Sequence, residues 1–220
     1  MSPTRVFIGF DPRQPLAYNV LQSSLHRNSA GRVIVEPLML HKLPVSRRGL
    51  TEFTYSRFLV PWLCGYEGSA IFMDADIVVT GDVAELAAQA DPSFAVQVMQ
   101  DQPKFEWGSV MLFNNANCKK LTPEFVNDPA NPLLDLEWGP VGTFSADWNH
   151  CVGYQEPKEA NLYHYTQGLP CWYETSGLPE DEAWLEERKA LTATVPWKEL
   201  MGRSVHAKPV LQRLLSRLTQ

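Results

Sequence analysis

The segment Ile71-Phe72-Met73-Asp74-Ala75-Asp76-Ile77-Val78-Val79 places two carboxylates, one alanine apart, inside an otherwise apolar run. Withdrawing even a neutral polar group from water without a partner costs about 2 to 7 kcal/mol, and a carboxylate more, so the pair needs compensation. On an extended segment side chains repeat every second residue, which would turn Asp74 and Asp76 to the same side. Two oxygen ligands on one side, with coordination positions left over, suit a hard divalent ion such as Mg²⁺ or Mn²⁺ that also grips substrate phosphates. The plain alternative is a pair of turn or capping carboxylates after a buried strand, because a D-x-D is short and common.

Strand-like and helix-like segments alternate ahead of this pair, as in an α/β sheet with crossover helices. Arg5 to Phe10 predicts a strand, Asp11 to Pro15 a loop, and the next stretch a helix to about Asn28. A second strand follows at Val33 to Leu40, then a basic loop from Lys42 to Arg48. Thr54 to Leu63 predicts a helix whose Phe58, Leu59, Trp62 and Leu63 face a core, with Arg57 on the margin. Ser69 to Val79 is expected as one strand delivering the carboxylates at its carboxyl end, where open α/β sheets bind ligands. Beyond it come a short helix, Val83 to Gln89, and strands near Phe94 to Met99 and Ser109 to Phe113. Loops and short helices are expected from Asn115 to Trp138, a strand end at Tyr163-His164-Tyr165, and a charged, exposed helix from Pro179 to Ala190.

A chain of 220 residues supports one substantial core, expected here as a domain over 1–200 followed by a C-terminal helix over 201–220. Its net charge of -6 argues against a general nucleic-acid binder. Met1 to Arg5 runs directly into Val6-Phe7-Ile8 without the apolar stretch of a signal peptide, and no run is apolar enough to span a bilayer. With Cys64, Cys118, Cys151 and Cys171 scattered and no C-x-x-C pair, the expectation is a cytoplasmic protein with reduced thiols. From Arg203 the chain is basic, with Val210, Leu211, Leu214, Leu215 and Leu218 at helical spacing. Such a helix either lies peripherally on the inner face of an anionic membrane or packs its leucines on the domain or a partner subunit.

Several ordered pieces resemble one family. They are Val6-Phe7-Ile8-Gly9-Phe10-Asp11 with Tyr18 downstream, Thr54-Tyr55-Ser56-Arg57-Phe58, Phe72-Met73-Asp74-Ala75-Asp76, Ser109-Val110-Met111-Leu112-Phe113-Asn114, and His164-Tyr165-Thr166-Gln167-Gly168-Leu169-Pro170-Cys171-Trp172. Together they are similar to a GT-A nucleotide-sugar transferase of glycosyltransferase family 8. The resemblance implies a single GT-A type domain, a mixed, mostly parallel central sheet flanked by helices. It implies Mn²⁺ (or Mg²⁺) held by Asp74, Asp76 and His164. It places Arg57 at the donor sugar or phosphates, Asp11 and Tyr18 at the base and ribose, and Ala75 and Gly168 beside the donor. Asp147 becomes the candidate carboxylate at the reacting sugar carbon, with Arg57 as the second catalytic group.

The chain also departs from that pattern. Trp107-Gly108-Ser109 stands where the family has an Asn-Ser-Gly or Asn-Ala-Gly turn, and Ser145-Ala146-Asp147-Trp148-Asn149 where many members have Asp-Gln-Asp followed by Asn. No lysine lies between Gly168 and Trp172, so a diphosphate contact falls to Lys158 or Lys208 or is missing. The implied reaction is transfer of a hexose from a nucleoside diphosphate sugar, a UDP-sugar in the first instance, to a hydroxyl of a carbohydrate or lipid-linked acceptor. Retention at the anomeric carbon is inherited from the resemblance. Glu137, Trp138 and Trp148 are either acceptor contacts or ordinary core and surface. Two alternatives stay open: a haloacid dehalogenase-like phosphatase with Asp74 as nucleophile, and a nucleotide-sugar binder without turnover.

Overall fold

The computed structural model describes residues 3–101, 104–202, 204 and 206–218, so Met1, Ser2 and Arg203 lie outside the described residues. The chain begins with β1 (Thr4–Gly9), helix α1 (Pro15–Asn28) and β2 (Val33–Leu38). Pro15 starts α1 where a missing N–H costs nothing, and Leu16, Val20, Leu21 and Leu25 recur at helical spacing on its buried face. After α2 (Val60–Leu63) come β3 (Ser69–Met73), β4 (Ile77–Val79), α3 (Val83–Ala87), β5 (Val96–Val98) and β6 (Val110–Asn114). The remainder comprises α4 (Pro123–Asn127), β7 (Val141–Thr143), β8 (His150–Cys151), β9 (Leu162–His164), α5 (Asp181–Thr192), α6 (Trp197–Met201) and α7 (Ala207–Leu218).

Six strands form the main sheet in the order β2-β1-β3-β6-β5-β7, and β4-β9-β8 form a second, three-stranded sheet. In the main sheet β1 is parallel to β2 and β3, β7 is parallel to β5, and β6 is antiparallel to both β3 and β5. The buried stretches Val6 to Ile8, Ala70 to Met73 and Val110 to Phe113 of β1, β3 and β6 are apolar without a break because both faces are covered. Val6, Ile8, Ile71, Met73, Val110 and Leu112 enter one core, and the alternating Phe7, Ala70, Phe72, Met111 and Phe113 enter the other. This is the expected mixed, mostly parallel sheet flanked by helices.

Three local expectations are corrected. Ser69 to Val79 is not one strand: the chain bends at Asp74-Ala75-Asp76, leaves the main sheet after Met73 and joins the second sheet at Ile77. The carboxylates are what break it, since neither could take a buried ladder position uncompensated. Thr54 to Leu63 is a tight 3-10 turn, Ser56–Leu59, followed by one α-helical turn, and Arg57 is buried within it rather than marginal. The helix near Pro179 begins at Asp181 and is exposed on one side only. Trp184 is fully buried, and Glu187 is tied to α1 by the Ser23 hydroxyl at 2.5 Å.

In α7, Val210 and Leu214 join the core with Leu16, Leu169 and Cys171, while Leu215 remains exposed. The inner part of its apolar face is therefore spent on the domain. No helix among the described residues is long and apolar enough to cross a membrane.

Candidate active site

The site forms where the two sheets part. The Asp74 N–H donates to the Ser109 carbonyl at 2.8 Å, so the first carboxylate is anchored to the start of β6. Ile77 pairs with His164 in the antiparallel β4–β9 ladder, and the Tyr165 N–H donates to the Asp76 carbonyl at 2.9 Å. That register sets His164 beside the bend, with Nε2 3.4 Å from Asp76 Oδ1. One side-chain ligand atom each from Asp74, Asp76 and His164 lies within 4.8 Å of the others. The bend achieves what two-residue periodicity on a straight strand was expected to do, by a different route. The His164 side chain is 2% exposed and that of Asp76 33%, so the cluster opens to solvent on the Asp76 side.

Electrostatics in the cluster favour bound protons. Burial, reinforced by the charge of Asp76, pushes the Asp74 carboxyl up to about 7 against the opposing pull of Arg57 and His164. Burial alone would lower the His164 imidazole, but the charge and hydrogen bond of Asp76, with Cys151 behind, hold it well above its ordinary value. Asp74 Oδ1 is buried and receives no hydrogen bond, although Arg57 Nη2 stands 3.1 Å away. A buried carboxylate oxygen that accepts no hydrogen bond, within a set of two carboxylates and one imidazole, is a donor arrangement that a hard divalent ion satisfies. The residues fit Mn²⁺ or Mg²⁺.

A pH prediction follows with a definite sign. Both folded-state pKa values lie above the unfolded ones, so folding takes up protons and this contribution to stability is lost as pH rises. The loss runs from the ordinary carboxylate value of 3.8 to about 7 for Asp74, and through the raised His164 value above 6.5. In EDTA the melting temperature should fall between about pH 6 and about pH 8, and Mn²⁺, which replaces those protons, should remove the fall. A metal-free melting temperature that rises over this interval would contradict the electrostatic account.

Arg57 is held on every side. Its Nε donates to the Phe53 carbonyl at 3.2 Å, Nη1 donates to the Gly108 carbonyl, and its guanidinium lies over the Phe72 ring at 4.8 Å. With Nη2 directed at Asp74, it is fixed as the counter-charge of that carboxylate and of the bend, rather than as a surface arginine.

The other sequence-predicted residues divide. Asp11 lies just beyond β1, and the β1–β3 register, Ile8 opposite Met73, puts it at the same sheet edge as Asp74. Its carboxylate is occupied by Arg13, accepting from the backbone N–H at 2.8 Å and from Nη2 at 2.6 Å. The Tyr18 ring is a core residue of α1, packed edge-on against Phe10. Ala75 is buried in the bend. Gly168, at φ +127°, turns the loop after β9; a Cβ there would meet Thr175 at 3.0 Å.

Asp147 is not brought to the cluster. Its carbonyl accepts from Asn161 N–H, at the end of the β4–β9 ladder opposite His164, and its exposed carboxylate pairs with Lys158 at 2.9 Å. Lys158 is thereby placed at the far end as well. Lys208 is exposed in the first turn of α7, two residues from His206, whose ring packs edge-on against Trp172. Trp148 is buried, and Trp138 packs against Phe58 and Phe113, so neither ring is offered to an acceptor.

Sequence reasoning missed Glu106, Cys151, Ser109 and Asn149. Glu106 is 4% exposed, with Oε2 3.6 Å from His164 Nδ1, and Cys151 Sγ lies 3.7 Å from the same nitrogen. Asn149 Nδ2 donates to Ser109 Oγ at 2.9 Å. The available signal was the one that exposed Asp74: Glu106 is a carboxylate set against the apolar run from Val110 to Phe113.

The fold has counterparts among solved structures. The galactosyltransferase LgtC, solved with donor and acceptor sugar analogs, superposes with a TM-score of 0.61 over 90% of this chain and 100% of its own, at 13% identity. The glycosyltransferase GlyE of Streptococcus pneumoniae TIGR4 gives 0.61 over 95% of this chain and 64% of its own, at 16% identity. The bifunctional glycosyltransferase WbbM gives 0.59 over 97% of this chain, which spans 52% of WbbM, at 14% identity. The fold is thus that of the GT-A glycosyltransferases. No family model matches the chain. Protein CDI of Arabidopsis thaliana is 30% identical over 224 residues, covering 84% of this chain and 86% of its own, and the chain belongs to the family of that protein.

Proposed function

We propose that this protein is a divalent-metal-dependent glycosyltransferase that moves a hexose from a nucleoside diphosphate sugar, a UDP-sugar in the first instance, to a hydroxyl of a carbohydrate or lipid-linked acceptor. The observation that carries this reading is the convergence of Asp74, Asp76 and His164 at the carboxyl edge of a GT-A sheet, around a buried Asp74 oxygen that accepts no hydrogen bond. Mn²⁺ or Mg²⁺ bound there supplies Lewis-acid stabilisation of the departing diphosphate.

The chain's own residues have separable tasks. Asp76, the most open of the three, faces the incoming phosphates, and Arg57 opposes the protonation of Asp74 that burial favours. The nucleotide lies across the carboxyl ends of β1 and β3, where Asp11 and Arg13 form one wall. Arg13, whose side chain is 63% exposed, is a cation at this edge able to meet phosphate charge, and exposed Lys208 on α7 is a second candidate. Exposed Phe105 and Tyr154, with ring centroids 6.4 Å apart, flank the two residues behind His164 and offer the acceptor an aromatic surface that Trp138 and Trp148 do not. Retention is carried only by the family 8 resemblance.

A panel of UDP-sugars incubated with and without Mn²⁺ tests the assignment. Slow, metal-dependent release of UDP from one donor is the expected result. Hydrolysis of a simple phosphate ester with no donor turnover would instead favour the phosphatase chemistry. In the same assay Asp147→Asn should stay within about twofold of the wild type, because an exposed ion pair away from the cluster is worth only about 0 to 1 kcal/mol. A hundredfold loss in that variant would return Asp147 to the mechanism.

A further inference from the structure

The segment Glu106-Trp107-Gly108-Ser109 reaches Asp74, His164 and Arg57 from behind. The Ser109 carbonyl accepts from the Asp74 N–H, the Gly108 carbonyl accepts from Arg57, and the Glu106 carboxylate faces His164. Glu106 is itself pinned. Its carbonyl accepts from the Ser109 N–H at 3.0 Å and from the Ser109 hydroxyl at 2.6 Å, and its Oε1 accepts from the Thr166 hydroxyl at 2.5 Å. This leaves Oε2 directed at His164 Nδ1, 3.6 Å away, with the side chain 6% exposed.

We infer that Glu106 is the positioning residue of the metal site, holding the His164 ring so that Nδ1 keeps its proton and Nε2 presents a lone pair to the ion. The inference rests on the proposed metal-dependent transfer. Three observations carry it. A carboxylate this buried needs a compensating donor, and the described ion pairs give Glu106 one cationic partner, His164. Asp76 and Glu106 stand at opposite nitrogens of one imidazole, at 3.4 and 3.6 Å, which fixes which nitrogen serves which neighbour. A buried carboxylate behind a ligating histidine is also the outer-shell partner that orients the ring and raises its basicity. At 3.6 Å the Glu106 contact is electrostatic rather than a hydrogen bond, and Cys151 Sγ shares the same nitrogen. The thiol is the weaker acceptor, so the carboxylate sets the tautomer. Where the resembled family has an asparagine turn that contacts sugar, this chain has instead a segment that supports the ligands.

Mn²⁺ dissociation constants, read from the free-ion paramagnetic resonance signal, test this in the full chain. Glu106→Ala should weaken Mn²⁺ binding by about 10- to 100-fold, and Glu106→Gln, whose amide oxygen keeps a negative dipole facing Nδ1–H, should recover part of the loss. Long-range ¹H–¹⁵N spectra of the Mg²⁺-loaded wild type give a readout independent of any variant's folding: His164 should carry its proton on Nδ1. Mn²⁺ affinity of the Ala variant within twofold of the wild type, or a proton on Nε2 in the loaded protein, would overturn the role of Glu106 while leaving the metal site standing. A wild type that binds no Mn²⁺ would overturn both the role and the functional reading beneath it.

Discussion

Asp76→Asn lowers metal-dependent donor turnover by about 100- to 1,000-fold while leaving the fold intact, the range seen when one group that stabilises developing charge is removed. The asymmetry between the two aspartates makes this the informative substitution. Asp76 is a third exposed and engages His164 at one oxygen, so an amide of the same shape can occupy its place without leaving a buried charge alone. Asp74 is the poorer choice, because its neutralisation would also strand the buried Arg57 guanidinium. Steady-state release of UDP by the Asp76→Asn protein, at Mn²⁺ concentrations up to saturation, measures the effect. Turnover within tenfold of the wild type would remove the bend from the chemistry.

Arg57→Ala is expected to cost about 3 to 5 kcal/mol of folding stability in EDTA, the range for removing one partner of a buried ion pair. Both side chains are largely inaccessible, at 10% and 17% exposure, so solvent screening does little to reduce it. The substitution also frees the carbonyls of Phe53 and Gly108 and empties the space over the Phe72 ring. Part of the loss should return with Mn²⁺, because an ion on Asp74 supplies the missing positive charge. Denaturant unfolding with and without Mn²⁺ separates the two contributions. A cost below about 1 kcal/mol would assign Arg57 to a solvated surface role.

Much of this site could be read from residue types, and its failures have physical causes. Asp74 and Asp76 announced themselves by interrupting an apolar run, and His164 by its place in a motif resembling family 8. That the same carboxylates end one strand and begin another in a different sheet was not visible, because Ile71 to Met73 and Ile77 to Val79 are equally apolar and equally buried. Arg57 looked marginal because helical spacing was assumed for a segment that is half 3-10 turn. Tyr18 and Trp138 carry chemistry in some sites but here fill the cores on opposite faces of the sheet. Asp147 was assigned through a segment resembling the family's Asp-Gln-Asp, and the β4–β9 register puts it at the end of the ladder away from His164. Glu106 escaped notice because its partner lies 58 residues away, at His164, and only the fold joins them.

The central claim is that Asp74, Asp76 and His164 form a cation site through which the protein holds a nucleoside diphosphate. Calorimetric titration of the wild type with UDP, in Mn²⁺ and then in EDTA, tests it most directly. Binding that requires Mn²⁺ is the predicted result. UDP binding of equal strength in EDTA, or no binding in either condition, would contradict it.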